Sequence, residues 1–201
     1  MKERPILFQG AMVRALLAGT KTQTRRILKP QPFQLPLTVG EGGTGWHWTT
    51  PKAALARWTT ERGFAAELAR FSPHGVPGDG LWVREAHYVV GEFDQVFYRA
   101  DGSNSLGDGL QWTGKWKPGI HMFRRHSRIL LEVTAVRVER LQDISEADAL
   151  AEGINPLLAA PERMYANLWD SINGPGSWDA NPWVWVVEFR MSKRGNMELP
   201  L

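Results

Sequence analysis

The chain contains no cysteine. That excludes disulfides, thiolate metal sites and a cysteine nucleophile, and it fits a reducing compartment. No apolar run approaches the roughly 20 residues that a membrane-crossing helix needs, so no membrane partner is expected. Met1-Lys2-Glu3-Arg4-Pro5 leads into a short apolar run without the core of a secretory signal, and the expected location is the cytoplasm. A Walker loop, a dinucleotide fingerprint, an internal repeat and a metal-spaced histidine pair are all missing. His47, His74, His87, His121 and His126 are scattered, so the residues call for neither a metal nor a cofactor.

What is present suits one domain with insertions: 201 residues, 43% hydrophobic and 22% charged. The net charge of +3 is mild and permits nucleic acid as a partner without demanding it. Its distribution is uneven. Arg25, Arg26 and Lys29 form one basic cluster, and Lys115, Lys117, Arg124, Arg125 and Arg128 form another. Glu139, Asp143, Glu146, Asp148 and Glu152 make the following segment acidic. Such runs are ordinarily solvated faces, and a one-sided field is the alternative.

The densest chemistry lies in Ala18-Gly19-Thr20-Lys21-Thr22-Gln23-Thr24-Arg25-Arg26, which holds an amine, three hydroxyls and two guanidinium groups. Residues 5–8 read as a first strand. Val13, Leu16 and Leu17 follow at helical spacing, and Gly19 stands where a helix end favours positive φ. Residues 22–28 read as a strand. In a strict strand Lys21 and Thr24 would point to opposite faces, so both can serve one site only if Lys21 lies in the turn.

Residues 33–77 are rich in Gly, Pro and Trp and read as a loop-like insertion, either a lid or a surface excursion. A helix is expected within 51–68, carried by Ala54, Leu55, Trp58 and Phe64. Gly78-Asp79-Gly80 forms a turn before a strand over 81–86. There Trp82 and Arg84 share a face and can hold a base between a ring and a guanidinium, unless the arginine stem merely covers the indole. A strand at 96–100, a second insertion at about 101–120 and the longest strand at 128–138 follow. Ser145 is an N-cap with Asp148 at the capping-box position. Glu152 falls in the last turn of that helix, where a carboxylate opposes the macrodipole. A helix after Pro161, using Met164, Tyr165, Leu168 and Trp169, precedes a final strand at 183–189.

Gly19-x-Lys21-x-x-Thr24-x-Arg26 after a short helix resembles the signature of the ASCH domain, a PUA-like β-barrel family. Gly78-Asp79 with its strand, the acidic helix from Leu141 to Gly153, and Trp185-Val186-Val187-Glu188-Phe189 are similar to further pieces of the family, in its order. Larger, Trp-rich versions from phages and prophages look closest. The resemblance implies an α+β domain on a small PUA-like barrel with flanking helices, spanning residues 1–201 with insertions at about 33–77 and 101–120.

It also implies work on RNA or nucleosides. Compact bacterial members include N4-acetylcytidine amidohydrolases, whose catalytic lysine, threonine and glutamate fall on Lys21, Thr24 and Glu152. Arg26, Arg25, Trp82, Arg84 and Glu85 are the candidate substrate contacts. The family's chemistry needs no metal. Lys21 serves either as the base that activates Thr24 or as a cation beside a basic Glu152; the sequence leaves both open. The alternatives are an RNA-binding module, for which ten tryptophans interleaved with arginines suit base stacking, an RNA-cleaving protein, or a phage regulatory protein with a vestigial site.

Overall fold

The computed structural model describes residues 1–36, 44–50, 53–58, 65, 67–90, 95–102, 105–107, 110–111, 114–155, 157 and 160–192. Strand β1 (Glu3–Leu7) leads to helix α1 (Gly10–Leu17), which buries Val13 and Leu16. Gly19 follows with φ of 73°, as the helix end required. Strand β2 (Gln23–Ile27) then carries Thr24, Arg25 and Arg26.

The expected loop between 33 and 77 contains an antiparallel sheet of β3 (Phe33–Pro36), β4 (Thr44–Thr50) and β5 (Ala53–Trp58). Part of the helix expected within 51–68 is therefore a strand: β5 pairs with β4 in the register Trp46↔Trp58, and pairing overrides the weak helical pattern of Ala-Ala-Leu-Ala-Arg-Trp. Phe64, expected on the same helix, lies outside the described residues. Trp48 is 3% exposed, donates from Nε1 to the Pro30 carbonyl at 3.0 Å and meets Trp185 edge-on. Trp46 meets Trp183 in the same way at 5.4 Å. These two indoles join the insertion to the main core.

Strands β6 (Gly80–Arg84), β7 (His87–Val90) and β8 (Gln95–Tyr98) follow, the last two as a hairpin. Strands β9 (Ser105–Gly107) and β10 (Leu110–Gln111) form another within the second insertion. The longest strand is β11 (Leu130–Arg140). Helices α2 (Glu146–Ala151) and α3 (Pro161–Asn173) precede β12 (Trp183–Met191). The capping box forms: Asp148 N donates to Ser145 Oγ at 3.1 Å, and Ser145 N to Asp148 Oδ2 at 3.4 Å.

The main sheet is mixed and runs β1-β6-β11-β12-β2. β1 lies parallel to β6, and the remaining neighbours are antiparallel. The fold is thus α+β, but no closed barrel occurs among the described residues. β1 and β2 are the two edges of the sheet, and between them a side chain replaces a backbone ladder: Arg26 Nη2 donates to the Leu7 carbonyl at 2.6 Å. Alternate residues of β12 serve two cores. Trp183, Trp185, Val187 and Phe189 pack with α1 and the inserted sheet, while Val184 and Val186 pack with Tyr165 and Trp169 of α3. No helix among the described residues is long and apolar enough to cross a membrane.

Candidate active site

Lys21 lies outside β2, in an isolated antiparallel bridge with Glu152. Thr22 N donates to the Ala151 carbonyl at 2.8 Å, so the end of α2 docks onto the approach to β2. Gly153 makes the approach possible. Its φ is 92°, and a Cβ there would stand 3.0 Å from Ala15 Cβ and 3.2 Å from Lys21 Cβ. The Lys21 ammonium donates to Glu152 Oε2 and to the Glu152 carbonyl, both at 2.7 Å. The lysine side chain is fully buried and the glutamate 3% exposed. Burial pushes the Lys21 pKa below the ordinary lysine value, while Glu152 pulls it back up and Arg26 and Arg25 push it down.

The other carboxylate oxygen, Oε1, accepts from Tyr165 Oη at 3.4 Å and lies 3.5 Å from Arg25 Nη1. Burial, and then Glu152, raise the Tyr165 phenol well above its usual pKa, so it stays a neutral donor. Arg25 points to the α2 side of β2 and also pairs with Glu139 at 2.5 Å and Asp148 at 3.2 Å. Lys21 and Arg25 are therefore matched by Glu139, Asp148 and Glu152 of the acidic segment across the fold.

Thr24, 3% exposed, and Arg26 share the opposite face of β2. The Arg26 guanidinium lies over the Phe8 ring at 5.2 Å and Lys21 Nζ over the same ring at 5.6 Å, which brings the lysine round to the Thr24 side. Thr24, Arg25, Arg26, Glu152, Tyr165 and Trp169 line a cavity of 350 Å³ between α1, β2 and α3. That volume is at the lower end for a small-molecule pocket. Lys21 stands behind Glu152 and is not itself part of the lining.

Trp82, Arg84 and Glu85 are not brought to this cavity. The Arg84 guanidinium lies 5.4 Å from the Trp82 ring, leaving no gap for a base, and its Nη2 donates to the Ile120 carbonyl. Glu85 is 2% exposed and accepts from Arg128 Nε at 3.0 Å and Nη2 at 3.1 Å, with Asp101 completing the pair network. Its carboxyl is raised by burial and lowered by Arg128. These are internal structural contacts. Conversely, the sequence reading gave Tyr165 and Trp169 to a helix face without assigning them to the site. Their spacing of four, on a helix following the acidic one, was the available signal.

No protein-family model and no curated protein matches the chain. Among solved structures, the chain is similar to protein EF3133 from Enterococcus faecalis V583, of the family model DUF984. The two share 10% identity over 95% of this chain and 80% of the other, with a TM-score of 0.41.

Proposed function

We propose that the chain is a nucleoside- or RNA-directed amidohydrolase of the ASCH, PUA-like type, removing the acetyl group from N4-acetylcytidine. One observation carries the reading: Thr24 and Glu152, the latter held from behind by the buried Lys21, line one small cavity. The mixed sheet and the helix that delivers the chain into Gly19 and Lys21 support the family assignment, and the cysteine-free composition supports a cytoplasmic location.

In the proposed reaction Thr24 Oγ1 attacks the acetyl carbonyl carbon and its proton passes to the Glu152 carboxylate. The carbonyl π pair moves onto oxygen, giving a tetrahedral intermediate. Collapse breaks the C–N bond, and the proton held by Glu152 goes to the exocyclic nitrogen, releasing cytidine. Water, deprotonated by Glu152, then adds to the acetyl carbonyl of the threonine ester; collapse breaks the C–Oγ1 bond, Glu152 returns the proton to Thr24 Oγ1, and acetate leaves. Lys21 is a positioning residue: both hydrogen bonds of its ammonium go to Glu152, one to Oε2 and one to the carbonyl.

The stacking alternative draws less support, because Trp48, Trp169, Trp183 and Trp185 are each under 5% exposed and cannot receive bases. The test is cytidine release from N4-acetylcytidine and from its 5′-monophosphate. Thr24→Val and Glu152→Gln are expected to lose about a hundredfold or more, and Lys21→Ala to fall with them. A wild type inert on both substrates would sink the reading.

A further inference from the structure

Arg26 differs from the other cations of the site. Lys21 and Arg25 are matched by Glu152, Glu139 and Asp148. Among the described residues, no carboxylate lies within ion-pair distance of Arg26. One of its nitrogens serves the Leu7 carbonyl, and its Nε is buried without an acceptor. Trp169 lines the same cavity, is 4% exposed, and buries its Nε1 with no acceptor either. A buried donor left unpaired costs free energy, and the half-buried Arg26 leaves both its Nε and its charge unmatched. Lys29 stands exposed at the rim of the cavity. Donors therefore step outward from the buried Thr24 through Arg26 to Lys29. Burial, followed by the positive field of Arg26 and Arg4, holds the His74 imidazole on the same wall down to about 4. Glu152 is the one carboxylate among the described lining residues, and it is already held by Lys21 and Tyr165.

A wall of unpaired donors asks for a ligand that brings acceptors and negative charge. We infer that the cavity takes a phosphorylated nucleoside, with the phosphate on Arg26, Trp169 Nε1 and Lys29 and the base toward Thr24. A terminal phosphate offers three oxygens to three separate donors, and guanidinium matches it geometrically. Arg26 is two residues along β2 from Thr24, about 7 Å, so the phosphate sits beside the reacting group without covering it. The identity of the base rests on the amidohydrolase reading; the phosphate site does not.

Calorimetric titration with cytidine, cytidine 5′-monophosphate and the dinucleotide cytidylyl-(3′→5′)-cytidine tests it without requiring turnover. The monophosphate is expected to bind about tenfold or more tightly than cytidine, with inorganic phosphate competing and added salt weakening the preference. Arg26→Gln and, separately, Lys29→Gln should shrink that ratio, while Lys115→Gln, on a surface lysine outside the cavity, should not. Lys29→Gln keeps the comparison valid if Arg26→Gln, which loses the Leu7 contact, fails to fold. Tight binding of the monophosphate over the dinucleotide identifies a free nucleotide as the source; the reverse identifies a strand. Cytidine and both phosphorylated ligands binding alike in the wild type overturns the inference. Phosphate preference without acetyl release would remove the amidohydrolase reading alone.

Discussion

Glu152 carries three side-chain donors on two oxygens, and the closest is Lys21 at 2.7 Å. Lys21→Met leaves a buried carboxylate with two longer contacts and should destabilise the protein by about 3 kcal/mol in urea titration. The double variant Lys21→Met/Glu152→Leu should recover most of that loss and none of the proposed turnover, since it removes the unpaired carboxylate and the proposed base together. Gly153→Ala should cost about 2 kcal/mol, because it forces a Cβ at positive φ against Ala15 and Lys21. An unchanged urea midpoint would show that the α2 end does not need its close approach. The turn position of Lys21 was a conditional demand of the sequence: strand alternation requires it if Lys21 and Thr24 serve one site. The partnership with Tyr165 was not readable, because nothing local to α3 says which side chain it will face.

At the scale of elements, α2 has six residues and is held by its cap and by its docking onto Thr22. Ser145→Ala should cost about 1 kcal/mol in the same titration. The sheet of β3, β4 and β5 is anchored through Trp48, and Trp48→Ala should cost about 3–5 kcal/mol while leaving KM for the proposed acetylated substrate little changed. A KM that rose strongly would instead make the insertion part of substrate binding. The elements readable in the sequence were those with local punctuation: Gly19 after α1, Ser145 and Asp148 at α2, Pro161 at α3. β5 was misread because its sequence has no period of its own and takes its form from the pairing with β4.

At the scale of the molecule, Asp79 ties the sheet's far edge. It accepts from Lys2 N at 2.8 Å and from Arg4 Nη1 at 2.6 Å. The backbone bond from Lys2, and then Arg4, lower its pKa from 3.8 to about 2. The stability it contributes is therefore fully present above pH 3.8 and is lost as pH falls through about 2. The lead of the wild type over Asp79→Asn in urea midpoint should shrink across that window; a constant lead would break the linkage. The α+β character was expected from the family resemblance, and strand and helix signals along the chain agree with it. The open edge was not, since closure depends on whether β1 and β2 pair, and nothing local to either strand states its neighbours.

The Lys21–Glu152 contact joins positions 131 apart in the chain, and β2 has β12 as its neighbour in the sheet. On a ribosome adding about 5–20 residues per second, Lys21 emerges roughly ten seconds before its carboxylate exists. Throughout that interval the signature is a bare cationic segment with no strand to lie against. The earliest motif to be synthesised is thus among the last parts of the molecule to acquire its structure.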